Sequence, residues 1–363
     1  MKLLNGYLLH EHLPPFVVSL SGLTGVLLLG NVLKFAELVI AKGVNGFDLV
    51  RLLLYLMPYM LVFTIPMACL IAMVLAFGRL STDYELIAMR ASGIGPTQII
   101  KPMIVVGLVI SFLLLSLNNH LVPTSHLAFR RQLKAIGIKQ PTAYLEAGTF
   151  IKEFPPYTIF VYQVRGKTLY DVRIYEPQKT GPTRTIVANR GEFSRLADKK
   201  GVELTLFDGT IDQWDAAKPG TFYKVGFSTY SLALRSDQAD PELLGKKLKE
   251  MTFRELMDER VHLKQEGIDS LPVSLELHSK IACSFAPLVF ILFGLAFGLR
   301  FHHHERLVTY IWVLAIFICY YLGIVGMSAV ALKGLLPPWQ AVWLPNLVGL
   351  VWSGSYVVQA ARN

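Results

Sequence analysis

Six stretches of the chain run without a charged side chain: residues 13–33, 52–78, 102–129, 281–299, 307–332 and 334–361. A helix rises about 1.5 Å per residue, so each stretch can cross a hydrocarbon layer roughly 30 Å thick. Six membrane spans are therefore expected. Soluble buried helices would need far more polar chain to cover them. Pro58, Pro66 and Pro345 lie in or near these stretches, where neighbouring helices can satisfy the backbone groups that a proline frees.

Between the third and fourth stretches the pattern changes period. TIFVYQV from Thr158, DVRIY from Asp171, VELTLFDGTI from Val202 and FYKVGFSTYSLAL from Phe222 carry β-branched and aromatic residues, partly in alternation. Turn signals stand at Gly166, Gly191, Gly201, Asp208-Gly209 and Pro219-Gly220. Short strands at this spacing predict a β-sandwich or jelly roll. Thr252 and Glu255 then form a capping-box signature ahead of a polar helix through about Gly267. The expected organisation is three spans in 1–121, a β-rich insert with its connecting helix in 122–272, and three spans in 273–363.

Composition agrees with this division. The chain has 363 residues, 53% hydrophobic and 17% charged, and its mean hydropathy is +0.45, outside the balance of a soluble domain. A net charge of +9 raises nucleic acid as a partner, but no basic cluster interleaved with aromatics is present. Topology explains the charge better, because lysine and arginine near span ends stay on the cytoplasmic side. With the N-terminus inside, that side receives Lys2, Arg79, Arg90, Lys101, Arg300, Arg306 and Arg362, and the opposite short loops hold Lys42, Arg51 and Lys333. Both termini are thus expected inside and the insert outside. The 13–33 stretch has no small-residue cleavage site and reads as a first span rather than a signal peptide.

Candidate chemistry is sparse. Cys69, Cys283 and Cys319 sit in apolar windows without metal or redox spacing. His302, His303 and His304 lie between Arg300 and Arg306 with no carboxylate or cysteine companion, which favours a head-group-facing turn over a metal site. No GxSxG, P-loop or HExxH pattern occurs, so no catalysis, cofactor or metal is expected.

Two constellations stand out. GRLSTDYELIAMRASGIG, residues 78–95, predicts a short helix over about 81–93, capped by Ser81 or Thr82, with Asp83 and Glu85 in its first turn and an end at Gly93. Leu86 and Met89 would form an apolar patch beside Glu85, which suits docking to a soluble partner or a plain interfacial link between two spans. In KFAEL, Lys34 and Glu37 share a helical face near the outer head-group layer. Lys34, extended by Lys42, can hold a lipid phosphate or simply snorkel. Lys280, in ELHSK at the start of the fourth span, is a further head-group contact or an anchor.

LPPFVVSL, KFAELVIAKGV, YLMPYMLVFTIPMACLIAMVLAFGRLSTDYELIAMRASGIG, NNHLVP, VRIYEP, TIVANRGEF and ELHSKIACSFAPLVFILFGLAFGL resemble the LptF/LptG permeases of the lipopolysaccharide export ABC transporter, over nearly the whole chain. GRLSTDYELIAMRASG looks more like the LptF branch. The resemblance implies a heterodimer with a second such permease, a cytoplasmic LptB-like ATPase dimer and a single-span LptC-like protein. It also implies that lipopolysaccharide enters between first and fifth spans and passes through stacked jelly rolls. Glu85 matches the family's coupling-helix glutamate, with Asp83, Leu86, Met89 and Arg90 around it, and Lys34 matches its basic residue near the end of the first span. The doubled lysine of some LptG members is absent here, where Lys42 stands alone. Phe160, Tyr162, Leu204, Leu206, Phe222 and Phe227 offer apolar side chains for a lipid conduit in the insert, though a closed core needs such residues too. Phe160 and Leu204 are expected to face inward and Val161 outward. A membrane-anchored sensor or scaffold is the alternative from another class.

Overall fold

The computed structural model describes the chain except residues 1, 41–44, 140–147, 149, 152–155, 166–167, 178–183, 196–200, 215–221, 236–245, 301–305 and 363. Lys42, Gly166, Pro219, Gly220 and the three histidines at 302–304 lie outside the described residues.

Helices α1 (Lys2–Ile40), α2 (Gly46–Thr82), α3 (Glu85–Ala91), α4 (Pro96–Ser116) and α5 (Val122–Lys139) come first, with a π turn over Leu117–Leu121 joining the last two. Strands β1 (Phe150–Ile151), β2 (Thr158–Arg165), β3 (Thr168–Glu176), β4 (Arg184–Arg195), β5 (Gly201–Trp214) and β6 (Phe222–Arg235) follow. A 3-10 turn at Leu248–Glu250 leads to α6 (Phe253–Gln265), α7 (Leu271–Ser284), α8 (Ala286–Arg300), α9 (Arg306–Leu332) and α10 (Pro338–Arg362). Two compact units result: Met1–Asn31 with Leu53–Leu127 and Lys246–Asn363, and Val32–Leu52 with Ala128–Gly245. The connecting helix α6 thus belongs to the helical unit, where Leu256 is buried with Val273 and Leu277 of α7.

Among the described residues, five segments are long and apolar enough to cross a membrane: Leu3–Ala36, Gly46–Thr82, Pro96–Ile136, Leu271–Gly298 and Ile311–Leu332. The helix α10, expected as a sixth span, has 25 residues but dilutes its apolar content with Gln340, Asn346, Ser353 and Ser355. In the most apolar window of each, 72% of the fourth segment is buried and 67% of the second, against 6% of the first and 17% of the last. The centre of the helical unit is therefore α8, approached closely by its neighbours. A Cβ on Gly294 would lie 2.5 Å from Met73 Cβ and 3.0 Å from the Leu70 carbonyl oxygen, and one on Gly349 of α10 would lie 2.6 Å from Val289. Gly294→Val is expected to cost about 1–3 kcal/mol through overpacking, read as a lower melting temperature of the detergent-solubilised chain. An unchanged transition would mean that α2 and α8 can move apart freely.

The helix break between α7 and α8 has a local cause. Pro287 offers no N–H to the Cys283 carbonyl, and its ring crowds that group. Carbonyls one to three residues before that group receive added side-chain donors. Asn118 Nδ2, in the π turn, donates to the Lys280 carbonyl at 3.1 Å, Ser284 Oγ donates to the same oxygen at 2.7 Å, and Asn346 Nδ2 donates to the Ala282 carbonyl at 2.9 Å. Tyr320 Oη donates to Asn346 Oδ1 at 2.6 Å and fixes that amide. Asn118, Ser284 and Asn346 thus serve as backbone partners inside these apolar helices, which hydrocarbon cannot supply.

The capping box is present as expected. Glu255 N donates to Thr252 Oγ1 at 3.3 Å, and Thr252 N donates to Glu255 Oε2 at 2.8 Å. The Lys246 ammonium, hydrogen-bonded to Glu255, and the Thr252 amide hold that carboxyl below its ordinary range.

The β unit departs from expectation in topology. Its described strands form one antiparallel sheet in the order β1-β2-β3-β4-β5-β6, an up-and-down meander. The two-sheet crossover of a sandwich or jelly roll is not found among them. Gly191 and Asp208-Gly209, read as turn signals, lie inside β4 and β5. Asp208 and Asp171 adopt φ of 51° and 52°, a conformation rarely taken by non-glycine residues, at matching heights in β5 and β3. Pairing skips Tyr162/Asp171, Asp171/Asn189, Asn189/Asp208 and Asp208/Ser228, then resumes in the same register. This line of skipped pairs crosses five strands as a crease. Side-chain alternation slips by one residue there: Ile186 and Ala188 precede Gly191 in β4, and Leu204 and Leu206 precede Ile211 in β5, all buried. Both halves of the sheet consequently turn apolar residues to the same side and share one core cluster. A single curled sheet can thereby bury a core without a second layer.

Candidate functional site

The segment after α2 builds a compact acidic site. Thr82 Oγ1 donates back to the Gly78 carbonyl at 2.9 Å and Ser81 is buried, so both close α2 instead of capping α3. The residue before α3 is Tyr84, with φ 58° and no side-chain cap. A bulky side chain held in the left-handed region stores strain of about 1–3 kcal/mol. This turn sets Glu85 at the first position of α3 and leaves Tyr84 and Ile87 exposed.

Glu85 is held from two directions. Tyr7 Oη of α1 donates to Glu85 Oε2 at 2.5 Å, and Arg79 Nη2 of α2 stands 3.8 Å from Glu85 Oε1. The same guanidinium pairs with Glu11 at 2.7 Å and with Asp83 at 3.8 Å, and donates to Tyr7 Oη at 3.4 Å. Three carboxylates therefore gather around one guanidinium, which makes the cluster a natural acceptor for a basic surface. Asp83 and Arg90 are exposed, while Glu85 is half-buried.

Leu86 and Met89 are placed differently from expectation. Leu86 is buried with Leu8, Phe77 and Leu80, and Met89 packs on that cluster. The short helix needs an anchor on the unit, and these two side chains provide it. The outward apolar residue of α3 is Ile87 instead.

Lys34 is exposed on α1. Its neighbour Phe35 packs against Phe129, with ring centroids 6.1 Å apart, in a cluster with Leu52, Leu133 and Ile136. Successive helical residues differ by about 100° in direction, so seating Phe35 inward turns Lys34 away. Lys280 behaves oppositely. It is buried, and its Nζ donates to the Met251 carbonyl at 2.5 Å and the Lys249 carbonyl at 3.3 Å. Those carbonyls end the 3-10 turn before α6, so Lys280 ties chain segments together and presents no cation to a head group.

In the β unit, Leu204 and Leu206 line the inner face, and Phe227 packs against it. Phe160 and Tyr162 lie on the opposite face. Phe160 packs at a tilt against Phe150, with ring centroids 4.8 Å apart, and Tyr162 is half exposed beneath the Arg173 guanidinium at 5.3 Å. The inward residues of β2 are Ile159 and Val161, both fully buried. The expected parity of this strand is thus reversed, because all four positions are apolar and the β-branched pair fits the tight interior. The Phe222 side chain lies outside the described residues.

No local pattern marks Tyr7, Glu11 and Arg79 as parts of one site. Tyr7 stands 78 residues from Glu85, and only the fold brings them together.

Residues 6–358 match the family described as "Lipopolysaccharide export system permease LptF/LptG". The chain is also 22% identical over 240 residues to uncharacterized protein RP871 of Rickettsia prowazekii (strain Madrid E), covering 66% of this chain and 65% of that relative. The chain spans about two thirds of the length of the curated relative it matches.

Proposed function

Since this chain belongs to the LptF/LptG family of lipopolysaccharide export permeases, we propose that it is the non-catalytic membrane subunit of an ABC transporter that lifts lipopolysaccharide from the outer leaflet of the inner membrane. The family match over 6–358 carries this reading. The chain crosses the membrane six times with both termini in the cytoplasm, α10 serving as the last span and the β unit standing in the periplasm. Its partners are a second permease of the same family, a cytoplasmic LptB-like ATPase dimer and a single-span LptC-like protein.

Lipid A is a phosphorylated disaccharide with several acyl chains. Extracting it takes a cation at head-group depth, an apolar shelter and an outside source of energy. Lys34, exposed near the end of the first span, supplies the cation, with Lys42 beside it in sequence. The helices α1 and α9 keep their apolar faces least covered, which supports their use as the lateral opening against the second permease. The inner face of the curled sheet, where Val161, Leu204 and Leu206 pack in one cluster, then opens to shelter acyl chains on the way to the periplasmic bridge. Energy comes through the acidic cluster at Glu85 and Asp83, whose surplus of carboxylates suits a basic groove on the ATPase.

A photo-crosslinking residue at Leu204 or Val161 of the complete complex is expected to capture lipopolysaccharide only when ATP is supplied, and one at Tyr162 to capture little. Lys34→Asp should lower capture more than Lys34→Arg. Capture independent of ATP, with no ATPase retained on purification, would favour a membrane-anchored scaffold instead.

A further inference from the structure

The proposed coupling helix is joined to the first span by a specific polar link, and that link gives the first span a way to follow the ATPase. This inference rests on the reading of Glu85 as the docking carboxylate. Two features of α1 meet α3: Leu8 and Leu86 are buried in one apolar cluster, and Tyr7 Oη donates to Glu85 Oε2 at 2.5 Å. The apolar contact holds the helices together but has no direction. The hydrogen bond does have one, because it requires the Glu85 carboxylate at one place. Arg79 completes the link by pairing with Glu11 of α1 at 2.7 Å while facing Glu85 at 3.8 Å. The first span is otherwise the least buried of the candidate membrane segments, at 6% of its window. Few packed contacts constrain it, so a polar link at its end has large leverage on its position.

We propose that Tyr7 and Arg79 are positioning residues that transmit movement of the Glu85 carboxylate to α1, so that docking and release of a basic partner at α3 shifts the span carrying Lys34. A cation arriving at Glu85 competes with Tyr7 and Arg79 for the same two oxygens. When it takes them, the donors of α1 and α2 lose their acceptor and the span is released; when it leaves, they recapture it.

The test uses the complete complex in lipid nanodiscs, with lipopolysaccharide released per ATP hydrolysed as the readout. Tyr7→Phe keeps the ring and its packing and removes only the donor. The released amount per ATP is expected to fall about tenfold, the scale of losing one hydrogen bond to a charged acceptor. In a Glu85→Gln background, adding Tyr7→Phe should cause little further loss, since the acceptor charge is already gone. A merely structural role would lower yield and hydrolysis together and leave the ratio unchanged. An unchanged ratio in Tyr7→Phe, or an equal further loss in the Glu85→Gln background, overturns the link. Arg79→Gln provides a second variant with the same expected direction, also overturned by an unchanged ratio. Retention of the ATPase by Glu85→Ala is measured beside these; full retention would overturn the docking assignment itself, whatever Tyr7→Phe does.

Discussion

Aspartate at Leu204 is expected to leave the β unit unfolded and export abolished, whereas aspartate at Phe160 leaves both largely in place. Leu204 is fully buried in the shared core of the two sheet halves. An unpaired carboxylate there loses its hydration, displaces apolar contacts and costs several kcal/mol, a large part of the roughly 5–15 kcal/mol that holds a domain folded. Phe160 faces outward and gives up its tilted and edge-to-face ring contacts with Phe150 and Tyr162, worth about 1 kcal/mol. Limited proteolysis of the detergent-solubilised chain reads the difference, with cleavage expected inside β4 to β6 only for Leu204→Asp. Equal resistance of both variants, or greater damage at Phe160, would contradict the assigned faces of the sheet.

The second large effect is expected at the acidic cluster. Glu85→Lys replaces one of three carboxylates around Arg79 with a second cation, so a site suited to a basic surface becomes repulsive to it. Losing one partner of a hydrogen-bonded charge pair at an interface costs about 2–5 kcal/mol, or roughly 30-fold to several thousand-fold in affinity. The ATPase should therefore be lost during purification while the permease remains folded and in the membrane. Asp83→Asn is the contrast, because Asp83 is exposed and 3.8 Å from Arg79, and exposed pairs contribute about 0–1 kcal/mol. Retention of the ATPase by Glu85→Lys would move the docking point elsewhere on the chain.

Local signals in the sequence carried much of this architecture. The apolar windows correspond to long helices because hydrocarbon imposes a length that composition reveals directly. Thr252 and Glu255 announce the start of α6 because a capping box is complete within four residues. The strands from Thr158, Asp171, Val202 and Phe222 were legible, but β4 was not, since Ala188, Asn189 and Arg190 interrupt its apolar pattern at the crease. Parity in β2 was hidden because Ile159, Phe160, Val161 and Tyr162 offer apolar side chains to both faces. Glu85 was visible as a carboxylate on a short helix, but Leu86 and Met89 looked equally suited to a docking surface and to an anchor. Tyr7, Arg79 and the carbonyl partners of Lys280 depend on contacts between segments far apart in the chain, which no local pattern encodes.

The strand order has a consequence for how the β unit is made. Every strand from β2 onward pairs with the one synthesised just before it, so no strand has to wait for a later partner. A meander of this kind keeps most contacts short-range in sequence, which lowers the entropy lost on closing each loop and speeds assembly. If the insert is threaded through the translocation machinery from its N-terminal end, the sheet can grow strand by strand as it emerges. Each arriving hairpin seals the edge left open by the last. Besides the edge of its first strand, the growing domain then exposes only the edge of its newest one, limiting its opportunity to aggregate before β6 arrives.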